Sequence, residues 1–485
     1  MQTIRAITSA LAVLTVSLCG TSAQTYLYNW TTIAGLAGQP GSADGTNSAV
    51  RFRRPQGLAL DYHGNLYVAD ADNSTIRRIR QVGTNWVTIT IAGLAGSRGS
   101  ADGTNNDARF NLCSGVAVNP DSGTIFVADT FNHTIRMITP SGLPWVVSTN
   151  WVVTTIAGQP GMAGSEDGTN RAARFSNPLG ISVVGESVFV ADTANSTVRL
   201  ITKWGTNWVA RTLAGLAGSF GSADGTNSAA RFRWPGALAV IRPVAPLLPP
   251  AFQADVFVAD TWNSTLREFD FEGEGGDIGD LFDVRTLAGR AGQIGSADGL
   301  DSAATFFNPA GIAVDINKPL LFVADGYNHT IRRLTWSDPD WVDYYPGGKT
   351  NWLASTIGGS AGHPGDTDGT NSDALFYGPQ GVAVDAGGTG APGRVFVADS
   401  LNHTIRMGVI PAEPPVIQSL VLTNGLLELT WSTASGRDYL VYYATNLTKG
   451  SWAIRGGRTA TGSTANFSDV VGLGPQRFYR VVLLP

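Results

Sequence analysis

The residues best suited to chemistry recur in a phrase that the chain spells six times, as in VADTFNHTIRMI at Val127–Ile138. Each copy carries an aspartate, an asparagine three residues later and an arginine seven residues later, and three copies add a histidine. Six matching sets of charged groups could form a ring that holds a ligand. The aspartates are Asp70, Asp129, Asp192, Asp260, Asp325 and Asp399, and the arginines are Arg77, Arg136, Arg199, Arg267, Arg332 and Arg406.

The repetition of these charges favours a structural role over a catalytic one. An active site is built from distinct groups in separate roles, and six equivalent copies cannot each fill them. Aspartate and asparagine at a turn hydrogen-bond the local backbone, and an arginine near a strand end can brace a neighbouring unit through a carboxylate pair. We therefore interpret the Asp–Arg ring as bracing, since buried charges persist mainly when they are paired.

The glycine-rich loops before each repeat offer a possible metal site. Most copies of SADGTN hold one carboxylate, whereas calcium takes about 6–8 oxygen ligands. Only GDTDGTNSD is richer, with Asp366, Asp368 and Asp373 near Asn371. We interpret these loops as Asp-Gly turns followed by packed Ala and Phe, and calcium near Asp366 and Asp368 stays an open alternative.

The histidines do not converge on one site. His133, His329 and His403 occupy equivalent turns in units two, five and six, while His63 and His363 lie at turns of opposite faces. A zinc ion needs its ligands at about 2.0–2.1 Å, a distance that units two and five cannot share. We interpret the three equivalent histidines as solvated turn residues, and we predict no metal and no cofactor.

Common catalytic motifs are missing from the sequence. H-E-x-x-H, the P-loop and C-x-x-C do not occur. Cys113 stands where the other units have proline, which indicates a packing residue. A net charge of −5 lacks the basic excess of a general nucleic-acid binder. We predict no catalytic residues and no nucleic-acid partner.

The repeated phrase lies within units of four short segments that must position it. In the first unit, GLALD, LYVAD, TIRRI and VTITIAG alternate with turns rich in Gly, Asn and Asp. Short runs of Val, Ile, Leu and Phe between turn residues are typical of strands. Six such units, 59 to 74 residues apart, predict an all-β fold, a six-bladed β-propeller of four-stranded blades.

Closure of the ring follows from counting the outer strands. The first TIAG-type strand, around Thr31 to Ala34, precedes the first inner strand, and the sixth unit lacks an outer strand of its own. We therefore predict that the N-terminal strand completes blade six. Joining the first and last blades would remove two free sheet edges.

The repeat resembles a known family. P-x-G-[LIV]-A-[LV]-D…LYVADxxNHTIR is similar to the NHL repeat of six-bladed propellers in the TolB-like superfamily, and TIAG…DG…ARF…P-x-G to its bacterial secreted type. The resemblance covers Thr31 to about Ile410 and implies the propeller fold. For function it implies binding modules, scaffolds and a few lyases or lactonases, because a fold does not fix function.

Composition divides the chain into four predicted parts. Residues 1–23 carry Arg5, a short apolar stretch and small residues before a cut, which is typical of a signal peptide. Residues 24–410 form the propeller, and the Pro-rich residues 411–415 form a linker. Residues 416–485 alternate as strands, predict a small β-sandwich and resemble a fibronectin-like C-terminal module. No later stretch is long and apolar enough for a membrane span, and we expect a secreted, periplasmic or cell-surface monomer.

Three insertions break the symmetry of the repeat, at Arg242–Ala254, Phe271–Asp283 and Ser337–Lys349. By strand order they share the face opposite the repeated turns, in blades four and five. Acidic groups beside aromatic rings suit carbohydrate stacking or a cationic ligand, although long surface loops also grow at little entropic cost. The candidate partner-binding residues are Trp341, Tyr344, Tyr345, Glu272, Glu274, Asp277, Asp280, Asp338, Asp340 and Asp343.

These patterns predict a secreted, non-catalytic binding or scaffold protein whose propeller surface binds a protein or glycan partner. The alternative is a metal-dependent lactonase- or lyase-like enzyme with a site in the central channel. Such an enzyme needs distinct His, Asp or Glu side chains on the axial strands. Those strands carry only Asp61, Asn119, Asp315 and Asp385 as polar ends.

Overall fold

The computed structural model describes residues 28–141, 149–241, 252–273, 283–315, 320–336, 352–385, 393–409, 417–423, 426–432, 438–444, 453–459, 464–470 and 478–483. The described residues form two compact units, one within residues 28–409 and one within residues 417–483. Their regular elements are strands and 3-10 helices of three residues. None of these helices has the length and apolar character needed to cross a membrane.

The first unit contains six antiparallel sheets of five strands each, an arrangement consistent with a β-propeller. The first described strand, β1 (Asn29–Gly35), belongs to the last sheet. Sheet one contains β2 (Gly45–Thr46), β3 (Pro55–Leu60), β4 (Leu66–Asp70), β5 (Thr75–Val82) and β6 (Asn85–Ala92). Sheet two contains β7 (Gly103–Thr104), β8 (Cys113–Val118), β9 (Ile125–Asp129), β10 (Thr134–Pro140) and β11 (Trp151–Ala157).

The middle sheets repeat this order. Sheet three contains β12 (Gly168–Thr169), β13 (Ile181–Val184), β14 (Ser187–Asp192), β15 (Thr197–Trp204) and β16 (Asn207–Ala214). Sheet four contains β17 (Gly225–Thr226), β18 (Ala237–Ile241), β19 (Phe252–Asp260), β20 (Thr265–Gly273) and β21 (Asp283–Ala288).

Sheet five contains β22 (Gly299–Leu300), β23 (Pro309–Asp315), β24 (Leu320–Asp325), β25 (Thr330–Trp336) and β26 (Trp352–Gly358). Sheet six contains β27 (Gly369–Thr370), β28 (Pro379–Asp385), β29 (Arg394–Asp399), β30 (Thr404–Val409) and, as its fourth long strand, β1.

The prediction of four-stranded units is wrong by one strand. A two-residue strand pairs with the outer strand of every sheet, as when Gly45 and Thr46 pair with Thr88 and Val87. Two residues are too few to show an alternating pattern in a sequence. A 3-10 turn follows each of these short strands, at Asn47–Ala49, Asn105–Asp107, Asn170–Ala172, Asn227–Ala229, Asp301–Ala303 and Asn371–Asp373.

The VAD strand of each sheet ends at its aspartate because the backbone turns there. Asp129 has φ −89° and ψ 77°, outside the extended region, and a 3-10 turn, Thr130–Asn132, follows. The next residue, His133, takes a left-handed conformation with φ 57°, which sends the chain back as β10. The same turn occurs at Ala71–Asn73, Thr193–Asn195, Thr261–Asn263 and Ser400–Asn402.

Glycines let the inner strands of neighbouring sheets approach closely. A Cβ atom on Gly115 of sheet two would lie 2.1 Å from the carbonyl oxygen of Leu179 in sheet three. A Cβ atom on Gly381 of sheet six would lie 2.0 Å from the carbonyl oxygen of Gln56 in sheet one. The glycine of P-x-G is therefore required by backbone contact between sheets. Each inner strand contacts the next, and β28 of sheet six contacts β3 of sheet one.

The N-terminal strand lies in sheet six, as its sequence predicts. Thr32 of β1 pairs with Arg406 of β30, and Asn29 pairs with Val409. The Trp30 side chain is fully buried, and its indole N–H donates to the carbonyl oxygen of Ile357 in sheet five at 2.9 Å. Cβ atoms on Gly358 and Gly408 would lie 2.6 and 2.7 Å from the Trp30 ring, so both glycines make room for it.

Apolar clusters fill the spaces between adjacent sheets. One cluster joins Ile33 and Phe396 of sheet six with Leu66 and Trp86 of sheet one, and similar clusters join the other neighbours. Burial of such side chains is the main favourable term in folding. The sequence of β1 thus contributes both backbone pairing and core packing where sheet six meets sheet one.

The second unit has two three-stranded sheets that share one core. Buried Leu429, Trp431, Tyr439 and Val441 come from both sheets. One sheet has the order β31-β32-β35 and the other β34-β33-β36, with β31 (Ile417–Thr423), β32 (Leu426–Ser432), β33 (Asp438–Ala444), β34 (Ala453–Thr459), β35 (Thr464–Val470) and β36 (Phe478–Leu483).

Replacing Trp30 with alanine tests the contribution of β1 to sheet six. We expect Trp30→Ala to lower the free energy of unfolding by about 3–5 kcal/mol, because a large buried side chain leaves a cavity. Trp204→Ala is the matched control, since Trp204 is 66% exposed. Denaturant unfolding of both variants measures the difference, and equal stability of Trp30→Ala and Trp204→Ala would contradict the packing of β1.

Candidate functional site

The predicted partner-binding surface falls on parts of the chain that the structure leaves mostly undescribed. Glu272 lies on β20, where its backbone pairs with Gln253. The other candidates of the three insertions lie outside the described residues, so this surface stays a prediction. They are Trp341, Tyr344, Tyr345, Glu274, Asp277, Asp280, Asp338, Asp340 and Asp343.

The repeated Asp and Arg residues form a buried clamp in each sheet. In sheet two the Arg136 guanidinium donates to Asp129 at 2.7 Å, and both side chains are fully buried. A second carboxylate, Asp102 of the incoming loop, accepts from the other end of the guanidinium at 2.7 Å. The ring of Phe110 lies 5.1 Å from the guanidinium carbon. The Arg136 guanidinium thus has two carboxylate partners and an aromatic face.

All six sheets repeat this clamp. The distances from each arginine to the two carboxylates lie between 2.7 and 3.1 Å. The loop aspartates are Asp44, Asp102, Asp167, Asp224, Asp298 and Asp368.

The loop aspartate also joins the clamp to the outer strand. Thr155 of β11 donates its hydroxyl to Asp102 at 2.9 Å. In sheet six the threonine is Thr32 of β1, which donates to Asp368 at 2.9 Å. The clamp therefore connects the incoming loop to the strand that carries the arginine and to the outer strand of the same sheet.

Two interpretations of these residues need correction. Bracing is confirmed, but the arginine braces the loop entering its own sheet rather than a neighbouring sheet. The loop aspartate is more than an Asp-Gly turn, because it is a direct partner of the buried arginine. In GDTDGTNSD this includes Asp368, which Arg406 contacts at 2.8 Å.

The asparagine of the repeat completes the turn. The Asn132 amide donates to Asp129 and to the carbonyl oxygen of Gly99, both at 2.7 Å. Burial raises the pKa of Asp129, while Arg136 and hydrogen bonds from Asn111 and Asn132 oppose that rise. The carboxylate therefore depends on its partners for its charge.

The turn histidines connect neighbouring sheets, which corrects their interpretation as solvated residues. The Nδ1 atom of His133 accepts the backbone N–H of Asn177 in sheet three at 3.1 Å. His403 of sheet six accepts the N–H of Arg54 in sheet one at 3.1 Å. Serine replaces histidine in sheet one, where Ser74 accepts the N–H of Leu112 at 3.1 Å. The histidines make the same backbone contact as the serine does.

Cys113 packs as its sequence position predicts. Its side chain is fully buried in the cluster between sheets one and two. Burial raises the pKa of its thiol well above the ordinary value, so the reactive thiolate is disfavoured.

A cavity of about 150 Å³ is lined by the inner strands of all six sheets. Its lining includes the start of each inner strand and the turns that follow β14 and β19. By strand direction it opens on the face of the incoming loops, at the opposite strand ends from the three insertions. Its described lining contains no Asp, Glu, His, Lys or Arg.

One side of this cavity carries two stacked tryptophans from sheet four. The rings of Trp234 and Trp262 lie 5.1 Å apart at an angle of 24°, and 37% and 50% of their surfaces are exposed. The guanidinium carbon of Arg233 lies 5.6 Å from the Trp262 ring. Exposed Phe131, Tyr327 and Tyr377 lie on equivalent loops and turns of other sheets.

The polar ends of the axial strands have local roles. The Asp61 carboxylate accepts from the amide of Asn65 at 2.8 Å and from the hydroxyl of Tyr67 at 3.1 Å. Asp385 pairs with Arg394 at 2.6 Å. These groups form turns and pairs at strand ends and do not converge with the residues of the axial cavity.

Sequence reasoning missed the tryptophan pair and the residue x of P-x-G. That residue varies as Gln56, Ser114, Leu179, Gly236, Ala310 and Gln380 in an otherwise repeated phrase. All six line the axial cavity. Variation at a fixed place in the repeat was the available signal, and it points to the axis.

The comparisons with known proteins concern the same repeat. The model of the Teneurin NHL domain matches residues 39–139. NHL repeat-containing protein 2 of Homo sapiens is 28% identical over 316 residues, which are 60% of this chain and 40% of that protein. The comparisons support the NHL-repeat β-propeller family. Protein SUPPRESSOR OF QUENCHING 1, chloroplastic, of Arabidopsis thaliana is 27% identical over 74% of this chain and 30% of its own length. The chain thus spans less than half the length of these curated relatives.

Solved structures share the fold of this chain. A Bacteroides thetaiotaomicron protein of unknown function superposes with a TM-score of 0.52 at 18% identity, covering 79% of this chain and 76% of its own. A protein from the same organism described as an auxiliary nutrient binding protein gives 0.51 at 14% identity, covering 79% and 77%. At these identities the likeness shows the fold alone.

Breaking one clamp tests its structural role. We expect Arg136→Met to lower the free energy of unfolding by about 3–5 kcal/mol, because it leaves the buried Asp129 carboxylate without its cation. The matched control is Arg98→Met in the same incoming loop, where Arg98 is exposed and the expected change is within about 0.5 kcal/mol. Urea unfolding measures both, and wild-type stability of Arg136→Met would show that the clamp is dispensable.

The turn histidines predict a pH dependence. Burial lowers the pKa of His133, His329 and His403, so each favours its neutral form when folded. Because the pKa of each histidine is lower in the folded than in the unfolded protein, its contribution to folding stability is fully present above about pH 6.5. That contribution is lost as the pH falls towards the pKa of the folded protein. We expect His133→Ser/His329→Ser/His403→Ser to lose less thermal stability than wild type between pH 7.5 and 5.

The control for this experiment is His363→Ser, because His363 lies in an exposed loop. Comparing variants removes the contribution of the acidic groups, which all of them share. If the triple variant and the wild type lose the same stability on acidification, the histidines do not act through neutral Nδ1 acceptors.

Proposed function

We propose that the six sheets form one closed six-bladed propeller, which acts as a secreted, non-catalytic binding protein with its ligand site at the axial cavity. The contact of β28 with β3 and the pairing of β1 with β30 support closure. A closed ring holds side chains from six sheets around one axis, and binding sites are favoured where variable residues meet on such a rigid frame.

The observation that carries the binding role is the chemistry of the cavity lining. Stacked tryptophans supply a large contact area at low cost in conformational entropy, and side-chain amides add neutral donors and acceptors. A lactonase- or lyase-like reaction needs convergent acid, base or metal-binding groups, which the described lining does not offer. This supports binding over catalysis.

Export and partner class belong to the same proposal. The signal-peptide pattern of residues 1–23 supports secretion to the periplasm or the cell surface of a bacterium. The nutrient-binding description of one fold neighbour is in line with a ligand-binding role. The acidic and aromatic insertions on the opposite face remain a predicted second surface for a protein or glycan partner.

Ligand-observed NMR on the full chain tests the site, with a library of sugars, short peptides, amino acids and lactones. The variants are Trp234→Ala/Trp262→Ala and a chain in which Phe271–Asp283 and Ser337–Lys349 are trimmed to short turns. We expect a ligand that binds wild type and the trimmed chain and loses affinity about tenfold or more in the double tryptophan variant.

Two outcomes would overturn this proposal. Binding lost only on trimming would place the site on the insertions. Turnover of a lactone, with or without an added divalent cation, that stops in the double tryptophan variant would make the cavity an active site. The recovered ligand must be chemically unchanged for the binding role to stand.

A further inference from the structure

The axial cavity has two chemically different sides. Trp234 and Trp262 of sheet four provide the aromatic side. Gln56 of sheet one and Gln380 of sheet six provide the amide side. In a ring of six sheets in chain order, sheet one lies opposite sheet four and sheet six lies beside sheet one. A ligand between them would meet flat rings on one side and hydrogen-bonding groups on the other.

The tryptophan platform is specific to sheet four. Trp234 occupies the left-handed position before proline, with φ 51°, where other sheets have smaller or polar residues such as Asn177 and Asn308. Gly236 follows Pro235 and has no side chain. The other sheets carry a side chain at position x, and the smallest of these is the methyl group of Ala310. The repeat is therefore altered on both sides of Pro235, and both alterations lie at the cavity.

The glutamines are the available polar groups of the lining. The hydroxyls of the lining are engaged. Thr193 and Thr261 donate to the carbonyl oxygens of Pro235 and Pro309, both at 2.8 Å, and Ser114 donates to that of Leu112 at 3.3 Å. Gln56 and Gln380 are half-buried, and within the described residues neither side-chain amide bonds to another protein group. Each primary amide offers two donors and an acceptor to a ligand.

The volume of the cavity and the charge of its lining restrict the class of ligand further. A dry cavity of about 150 Å³ accommodates one six-membered ring in other proteins, and the volume here is about 150 Å³. An anionic or cationic group would find no opposite charge in the described lining. The ligand is therefore one neutral ring with an apolar face and several hydroxyl groups.

We infer that the axial cavity binds a single neutral pyranose ring, free or at the end of a saccharide chain, with its C–H face on Trp234 and its hydroxyls towards Gln56 and Gln380. This inference rests on the proposed function and names the ligand class of that site. A pyranose matches both sides at once, because axial C–H groups form its apolar face and equatorial hydroxyls project around the rim.

Titration calorimetry on the full chain tests this, with methyl glycosides of glucose, galactose, mannose and xylose, their β-linked disaccharides, and adenosine as a planar aromatic comparator. We expect at least one glycoside to bind at millimolar concentration or tighter. Trp234→Ala should weaken it about tenfold or more, and Gln56→Ala/Gln380→Ala several-fold. Trp204→Ala, an exposed tryptophan outside the lining, should bind as wild type does.

The outcomes separate this inference from the proposed function. No binding by any glycoside, equal affinity in wild type and Trp234→Ala, or tighter binding of adenosine than of every glycoside overturns the pyranose assignment. If glycosides fail while another ligand binds in a Trp234-dependent manner, the binding role stands and the ligand class is wrong. If trimming the insertions abolishes glycoside binding, the sugar site lies on the opposite face.

Trp234→Phe, which keeps a smaller ring, should retain part of the affinity and guards against a folding defect.

Discussion

The buried arginine clamp is the interaction on which the rest of the propeller unit depends. Each fully buried guanidinium contacts a fully buried aspartate and a half-exposed aspartate of the incoming loop. Burying a charge is costly unless it is paired and hydrogen-bonded, so the arginine requires both carboxylates and nearby carbonyl oxygens. In return, a long glycine-rich loop is fixed against the sheet that it enters. The clamp acts together with the buried apolar side chains of the same loop, such as Ala108 and Phe110 in sheet two.

The clamp explains how a repetitive frame can carry a specific site. It repeats in all six sheets, and the glycine contacts between inner strands repeat in five, with Ala237 in place of the glycine in sheet four. These constraints leave few positions free to vary. The residue before that glycine and the residues of the turns are among the free positions. Their side chains meet at the axial cavity, where Trp234, Gln56 and Gln380 differ from their counterparts. The repeated residues hold the sheets together, and the residues that differ between sheets lie at the cavity.

The sequence predicts much of this fold because the strands are short, apolar and separated by turn residues. The strand of Asn29–Gly35 could be placed in sheet six by counting, and its pairing with β30 agrees. The two-residue strands could not be predicted, since two residues carry no periodic pattern. The bracing role of Arg136 could be predicted from repetition, but its second partner, Asp102, lies 34 residues away and only the fold brings them together.

The site was harder to predict than the fold. Long insertions attract attention in a sequence, whereas the axial residues are single substitutions within a conserved spacing of the repeat. Gln380 and Trp234 lie far apart along the chain, and only the fold places both at one cavity. The histidines illustrate the opposite error, because their shared position suggested solvated turns while the structure gives each an acceptor role between sheets.

Native-state hydrogen exchange of the incoming loops tests the central claim most directly. The amides of Gly99 and Arg109 donate to Phe110 and Ala101 at 3.0 and 2.9 Å, within the loop that Arg136 clamps. If the clamp fixes the loop, these amides exchange only through opening of the whole sheet, with the same free energy as the amides of β10. Fast exchange of Gly99 and Arg109 while β10 stays protected would show that the loop opens on its own and would contradict the account.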